Sequence, residues 1–332
     1  MPPPSRITAV RPTSAIEGGR ITIEGSGFAV YALRLPEVRI GNERARVVFA
    51  SPTAIGAIVP ALADGGPTTV RIDGVPGETA FIDVAAPLAT GLHQVDNPVF
   101  DRDGNMYVTY SGTRGQEVPV SIFRVRPNGT RETFSSGIVN PTSMAIDPRG
   151  RLYVSSRFEG TVYRVGADGT AASFATDLGV ACGLAFAPDG TLFVGDRSGT
   201  VFRVDSNGHA EQFATLPPSV AAFHLALASD GALHVTAPTL SSYDAVYRIE
   251  PEGSVSVRYA GFGRPQGLAF DPSGTLFVVD ALAGVSGLYR VPAGGAPELV
   301  LIGPGLVGVA FDPRGGLVVC SNETVYRLPK SS

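Results

Sequence analysis

Residues 264–291 read RPQGLAFDPSGTLFVVDALAGVSGLYRV, and this stretch decides the fold. Three short apolar runs, GLAFD, TLFVVD and GLYRV, predict three antiparallel strands. The DPSG sequence between the first two predicts a tight turn, because aspartate supplies a side-chain acceptor, proline fixes φ, and glycine tolerates a positive φ. A longer loop, DALAGVSG, separates the second strand from the third.

The same phrase occurs six times along the chain. Each copy has a turn glycine, and successive turn glycines lie 40 to 46 residues apart, at Gly104, Gly150, Gly190, Gly231, Gly274 and Gly315. A second turn, such as PNGT or ADGT, follows the third strand and leads to a fourth apolar segment. Four-stranded units repeated every 40 or so residues are typical of a β-propeller. We therefore predict an all-β chain with a six-bladed propeller over residues 85–330.

The last copy ends at Leu328, with no room for a fourth strand before the C-terminus. The segment before the first copy, PLATGLHQVDNPV, aligns with fourth-strand segments such as ASFATDLGVACGL. We therefore expect residues near 87–92 to form the outer strand of the sixth blade. Closing the ring in this way avoids an exposed sheet edge.

Composition narrows the class of function. The chain has 332 residues and a net charge of -4 without long charged runs, which argues against nucleic-acid binding. No apolar stretch approaches the length of a transmembrane helix, and the first ten residues do not resemble a signal peptide. Two cysteines, Cys182 and Cys320, are too few for a disulfide framework. Two locations stay open: extracytoplasmic if an upstream signal is removed, and cytoplasmic otherwise.

Residues 5–84 lack the repeated phrase. Short alternating runs of β-branched residues, broken by glycine, proline and serine, predict an immunoglobulin-like β-sandwich. The pattern Pro12, Gly18-Gly19, Gly25-x-Gly27-Phe28 and Val59-Pro60 resembles the IPT/TIG family. The resemblance implies a spacer or docking module, and no catalytic motif is visible in this segment.

The repeats resemble two propeller families over roughly residues 88–330. The phrase DPxGxLYV…VYRV resembles NHL repeats, which mostly bind partners. The stretch PQGLAFDPSGTLFVVD resembles the senescence marker protein and gluconolactonase family, which implies a hydrolase with one divalent metal, typically calcium. Strand topology places the loops that enter the first strand and leave the second on one face, and these loops are of unequal length, including TYSGTRGQEVPVS, TAPTLSSYD and DALAGVSG. Variable loops on a repeated scaffold favour this face as the functional surface.

The gluconolactonase resemblance places metal ligands at the start of each first strand. In this chain the aligned positions are Asp96, Thr142, Cys182, Phe223, Gln266 and Val307. Asp96, Thr142 and Gln266 are the oxygen donors among them, and one carboxylate predicts at most a weak, hydrated calcium site. A shift of one position would bring Asn97, Ser143 and His224 into the same ring.

Further polar residues follow the second strands and are expected to rim the same mouth: Arg157, Asp196, Arg197, Asp280 and Asn322. They would orient a polar ligand. The alternative is that they cap loops and form surface ion pairs of little energetic weight.

Cys182 and His224 lie at the starts of neighbouring repeats, and Asp96 is expected across the channel. Together they make a candidate Cys-His-Asp catalytic set, since a nucleophilic thiol needs a nearby base. No local motif accompanies the set, and a small buried cysteine inside a strand is common.

The residues therefore favour a binding protein that presents its long-loop face and channel mouth to a protein, peptide or saccharide. The alternative is a gluconolactonase-like hydrolase of lactones or related esters, either metal-dependent or using the polar residues around Asp96. The sequence alone does not decide whether the protein is an enzyme.

Overall fold

The computed structural model describes residues 5–30, 35–62, 64–75, 79–281 and 285–329. All regular elements in these ranges are β-strands, and none is a helix. The predicted propeller boundary at residue 330 and residues 282–284 of the DALAGVSG loop lie outside the described residues.

The N-terminal segment contributes eight strands that enclose one apolar core. They are β1 (Arg6–Arg11), β2 (Ser14–Ala15), β3 (Arg20–Ser26), β4 (Val38–Ile40), β5 (Glu43–Ala50), β6 (Ala54–Ile58), β7 (Gly66–Ile72) and β8 (Ala80–Val84). Alternation places Ile21 and Ile23 of β3 on the buried side, where they pack with Ile55 of β6. The alternation of apolar and polar residues that predicted strands in this segment also places the apolar side chains in this core.

The repeats form antiparallel four-stranded meanders. Four separate sheets are β10–β13 (Val99–Phe100, Met106–Thr109, Ile122–Val125, Arg131–Ser135), β14–β17 (Pro141–Ile146, Leu152–Ser156, Thr161–Val165, Ala171–Ala175), β18–β21 (Ala181–Phe186, Leu192–Asp196, Thr200–Val204, Ala210–Thr215) and β22–β25 (His224–Leu227, Leu233–Thr236, Asp244–Ile249, Val255–Phe262). This arrangement confirms the prediction of a β-propeller.

The last two repeats have additional partners. A fifth separate sheet contains β30 (Leu306–Phe311), β31 (Leu317–Ser321) and β32 (Thr324–Arg327), and β9 (Ala86–Thr90) pairs antiparallel with β32. The preceding repeat, β26 (Pro265–Phe270), β27 (Leu276–Asp280), β28 (Gly287–Val291) and β29 (Glu298–Ile302), continues into the N-terminal sheet. The structure thus shows five separate four-stranded sheets and one meander within a twelve-stranded sheet.

The two-residue strand β2 joins the N-terminal segment to the repeats. Ala15 pairs in parallel with Val84 of β8 on one side and with Ile302 of β29 on the other. Ile302 is buried in the N-terminal core, and the Tyr326 hydroxyl donates a 2.9 Å hydrogen bond to Glu17 Oε1. The domains are therefore connected by backbone pairing as well as by side chains.

The DPSG turn forms as its residues dictate. Asp271 Oδ1 accepts hydrogen bonds from the backbone amides of Ser273 and Thr275, at 2.9 and 2.8 Å. Gly274 donates its amide to the Asp271 carbonyl at a φ of 83°. These local bonds fix the connection between the first and second strands of a repeat. The first strands of successive repeats, from β10 to β30, pack against one another.

Candidate functional site

Neighbouring first strands make close contacts at one position of each strand, seven residues before the turn glycine. The six residues at this position, called the waist below, are Asn97, Ser143, Gly183, His224, Gly267 and Gly308. Three are glycines because space is short: a Cβ on Gly267 would lie 2.2 Å from Asn97 Oδ1, and one on Gly308 would lie 2.8 Å from the Asp96 carbonyl oxygen.

The first and fourth repeats are joined across the waist. His224 Nδ1 lies 2.6 Å from Asp96 Oδ1, and both side chains are buried. The same carboxylate oxygen accepts the Asn97 amide at 2.7 Å. Since an ionised carboxylate only accepts, Nδ1 of His224 donates. His224 Nε2 is buried and has no hydrogen-bond partner among the described residues.

The other polar waist residues also bind protein backbone. Asn97 Nδ2 donates to the Leu268 carbonyl at 2.9 Å, while its Oδ1 accepts the Val309 amide at 2.9 Å. Ser143 Oγ accepts the Leu184 amide at 3.1 Å. Asn97, Ser143 and the Asp96–His224 pair therefore tie the first strands to one another and fill the waist.

A cavity of about 260 Å³ opens on the long-loop side of the waist. Its polar lining residues are Gln94, Arg157, Arg197, Gln266 and Asn322, and we call it the mouth cavity. A second cavity, of about 400 Å³, lies on the other side of the waist and is lined by Asp96, Asn97, Ser143 and mainly apolar first-strand residues. The structure thus brings four predicted polar residues together at the mouth, along with Gln94, which was not predicted. It places Asp96, Asn97 and Ser143 on the opposite side of the waist.

The mouth cavity is cationic. Burial lowers the pKa of the Arg157 guanidinium from its ordinary value, and the nearby Arg197 and Arg114 guanidiniums lower it further. Neither Arg157 nor Arg197 forms a side-chain hydrogen bond or an ion pair with any described residue. Arginine nevertheless stays charged in proteins, so this end of the channel carries two positive charges that form no ion pair with any described carboxylate.

The predicted rim carboxylates are used inside the protein. Asp280 is buried and accepts the amides of Gly263 and Arg264, at 3.0 and 2.6 Å. Asp196 is buried as well; it accepts the Val180 amide at 2.7 Å and the Ser198 hydroxyl. Each aspartate accepts at least one backbone amide from the loop just before the first strand of its own repeat. This is the loop-capping role that was the alternative to ligand binding.

Cys182 lines the mouth cavity but is a poor nucleophile. Burial raises the pKa of its thiol to about 12, so the thiol is protonated near neutral pH. The Ser155 hydroxyl donates to the Cys182 carbonyl at 2.5 Å, and the equivalent Thr236 donates to the Gln266 carbonyl at 2.6 Å. Cys182 belongs to a repeated contact between neighbouring sheets, and His224 is hydrogen-bonded to Asp96 rather than to its thiol.

The three predicted metal ligands are not gathered into one site. Gln266 lines the mouth cavity, Asp96 lines the opposite cavity, and the Thr142 hydroxyl donates to the Asn140 carbonyl at 3.0 Å. Among the described residues, no group of three His, Cys, Asp or Glu side chains is arranged to hold a metal ion. Calcium requires six to eight oxygen ligands, and these donors do not fit it.

The sequence reasoning missed Gln94 and Asn140, which occupy equivalent positions three residues before the waist. Gln94 is fully buried, donates from Nε2 to the Asp96 carbonyl at 2.9 Å, and has an Oε1 with no partner among the described residues. Asn140 donates to the Ser111 and Thr113 carbonyls and so holds the long loop of the first repeat. The signal that could have found them is the recurrence of an amide at one repeat position.

Comparisons with known proteins agree with this architecture. Residues 4–82 match the IPT/TIG domain family, which confirms the predicted N-terminal domain. No match to a curated protein was found. None of the described residues lies in a helix long and apolar enough to cross a membrane.

Three solved structures illustrate the similarity of fold. A structural genomics protein from Bacteroides thetaiotaomicron is 14% identical with a TM-score of 0.60, covering 98% of each chain. An auxiliary nutrient binding protein from the same organism is 13% identical with a TM-score of 0.58, covering 98% of this chain and 97% of its own. A gluconolactonase from Xanthomonas campestris is 16% identical with a TM-score of 0.60, covering 74% of this chain and 89% of its own. At these identities the likeness establishes a shared fold.

Proposed function

We propose that this protein binds a small polar ligand of the saccharide or peptide type in the mouth cavity, without catalysing a reaction on it. The observation that supports the proposal is that the carboxylates near the channel are bonded inside the protein, whereas guanidinium and amide groups line the mouth. Carboxylates, which would hold a metal or act as bases, are engaged in internal hydrogen bonds at Asp96, Asp196 and Asp280. The mouth itself is lined by two guanidiniums, which pair with no described side chain, and by the amides of Gln94, Gln266 and Asn322. Each amide donates to a backbone carbonyl and keeps its side-chain oxygen as an acceptor for a ligand.

The same proposal includes the architecture of the ring. We infer that β26–β29 is a sixth blade, because β26 packs between β22 and β30 as β18 packs between β14 and β22. The pairing of β9 with β32 then closes the ring, giving a sandwich over residues 5–84 and a propeller over residues 85–330. The sandwich acts as a docking or spacing module attached through β2.

The solved relatives are consistent with both functions considered for this fold. Two of the similar structures are auxiliary nutrient binding proteins, and others are gluconolactonases. The former share nearly the whole length of this chain, whereas the latter share 74% of it. Coverage of the N-terminal segment does not separate the two functions, because a streptogramin B lyase structure also covers 98% of this chain, so the binding proposal rests on the polar groups of the mouth.

A thermal-shift screen tests the proposal. A ligand that binds only the folded protein stabilises it by RT ln(1 + [L]/Kd), about 2.7 kcal/mol at one hundred times Kd. We expect a saccharide or short peptide to raise the melting temperature of the wild type and to do so less in Gln266→Leu, which alters the mouth. Gln212→Leu, an exposed glutamine on an outer strand, is the matched control. A ligand whose effect is the same in Gln266→Leu and the wild type would place binding elsewhere.

The alternative function is a lactone or ester hydrolase, and the Asp96–His224 pair is the observation that favours it. A histidine hydrogen-bonded to a carboxylate is the base of many hydrolases. That reading requires turnover of lactones or activated esters that falls at least about tenfold, or ~1.4 kcal/mol in barrier, in Asp96→Asn. We expect no turnover above the rate in buffer, since His224 is buried within the waist.

A further inference from the structure

The mouth cavity contains two guanidinium groups without an ion-pair partner and one side-chain carbonyl oxygen without a hydrogen-bond donor among the described residues. Arg157 and Arg197 supply positive charge that no described carboxylate neutralises, and guanidinium groups bind oxyanions through paired hydrogen bonds. Gln94 Oε1 lacks a donor, and a buried carbonyl oxygen without a partner is costly. A ligand oxyanion would pair with the two guanidiniums, and a ligand hydroxyl group would donate to Gln94 Oε1.

An apolar surface lies directly beside the mouth. It is formed by Pro217, Pro218, Leu240 and Tyr243 around a cavity of about 540 Å³, and we call it the apolar shelf. The Leu240 and Tyr243 side chains are 91% and 68% exposed. Val220 lines both the mouth cavity and the shelf, so one ligand can occupy the two together.

The shelf and the mouth are held in a fixed relation by backbone contacts. The Arg197 carbonyl accepts the Ser219 amide at 2.9 Å, and the Ser219 hydroxyl donates to the Pro238 carbonyl at 2.8 Å. Val220 donates its amide to the same Pro238 carbonyl at 2.8 Å. Three successive loops are thereby joined, and such preorganisation lowers the entropic cost of binding.

We propose that the ligand of the mouth cavity is an acidic glycoside: a sugar whose carboxylate lies between Arg157 and Arg197, whose hydroxyl donates to Gln94, and whose second ring packs on Tyr243 and Leu240. The proposal rests on the binding function proposed above and names its ligand class. The mouth volume of about 260 Å³ is near the lower end of small-molecule sites. It therefore takes one sugar ring, and the shelf takes the next. An exposed tyrosine offers a flat, mostly apolar surface for that second ring.

Isothermal titration with four compounds separates the two features. 4-Nitrophenyl β-D-glucuronide has both the acid and the second ring, D-glucuronate has only the acid, 4-nitrophenyl β-D-glucoside has only the second ring, and D-glucose has neither. We expect the glucuronide to bind tightest. Loss of the carboxylate should weaken binding at least about tenfold, or ~1.4 kcal/mol, because its charge-assisted hydrogen bonds to the guanidiniums are lost.

Variants assign the effects to residues. The double variant Arg157→Gln/Arg197→Gln should bind glucuronide and glucoside equally, and Arg197→Gln alone should lose part of the preference. Arg149→Gln, which removes one exposed arginine in a turn on the opposite face, is the matched control for the single variant Arg197→Gln, because both lose one positive charge. Tyr243→Ala should weaken the glucuronide but leave D-glucuronate unchanged.

The results that overturn the inference differ from those that overturn the proposed function. If wild type binds the glucuronide and the glucoside equally, the acidic preference is wrong while binding at the mouth stands. If inorganic phosphate displaces the glucuronide at equal concentration, the site is a general anion site and the glycoside is wrong. If no compound binds at millimolar concentration, the inference fails, and the thermal-shift screen decides whether the proposed function fails with it.

Discussion

The Asp96–His224 pair gives the most direct prediction about stability. Asp96→Ala removes the carboxylate that accepts His224 Nδ1 and the Asn97 amide. Because His224 is 0% exposed and its Nε2 has no described partner, the imidazole would then be buried with neither nitrogen bonded. A buried polar group left without its partner costs about 1–3 kcal/mol. Two such groups, the His224 imidazole and the Asn97 amide, lose their acceptor, so we expect the free energy of unfolding to fall by about 2–6 kcal/mol.

Equilibrium unfolding in urea measures this loss. Asp230→Ala is the matched control, since Asp230 pairs with Arg248 at a half-exposed site, and surface pairs are worth about 0–1 kcal/mol. His224→Ala and the double variant complete a cycle, in which the double variant should lose less than the sum of the single variants. Additive losses, or a loss under about 1 kcal/mol in Asp96→Ala, would refute the argument that the pair holds the waist together.

Three further predictions concern single residues. Burial lowers the pKa of His234 to about 4, so its unfolded form binds a proton at a higher pH than its folded form, and stability should decline as pH falls from about 6.5 to about 4. His234→Phe should remove that part of the decline, measured by urea unfolding at pH 7 and pH 4.5; an unchanged pH dependence contradicts the assignment. The Cys182 thiol should resist iodoacetamide at pH 8 in the folded protein and react after unfolding, because burial raises its pKa to about 12; rapid modification of the folded protein, located by mass spectrometry, would restore the nucleophile hypothesis. Gly267→Ala should destabilise the protein by about 1–3 kcal/mol, since its Cβ would lie 2.2 Å from Asn97 Oδ1, and a variant as stable as wild type in the same urea assay shows that the waist has spare room.

Local chemistry explains why the propeller could be predicted from the sequence. Asp271 and Gly274 fix a turn through contacts within four residues, so a repeated DPxG phrase determines a repeated hairpin wherever it occurs. The IPT/TIG domain was recognisable for a similar reason, since its glycines and prolines mark turns along the chain. The two-residue strand β2 was not predicted, because its pairing with β8 and β29 depends on contacts far apart in sequence.

The sequence predicts which first-strand positions surround the channel, but it does not predict the contacts between their side chains. Alignment on the turn glycine placed His224 at the waist and Asp96 next to it, but their contact joins residues 128 apart in sequence. Whether an aspartate faces ligand or loop is equally invisible in sequence: Asp280 and Arg197 both follow second strands, yet one binds backbone amides and the other lines a cavity. Gln94 was missed because an amide recurs at its repeat position in one other repeat alone, at Asn140, which is a weak pattern among six repeats.

A crystal structure of the protein with 4-nitrophenyl β-D-glucuronide tests the central claim, that the mouth cavity is the ligand site, most directly. We expect the sugar in the mouth cavity, with its carboxylate within hydrogen-bond distance of Arg157 or Arg197 and its nitrophenyl ring over Tyr243. Glucuronide bound in the cavity beyond the waist, or on another surface while the mouth holds only solvent, would contradict it.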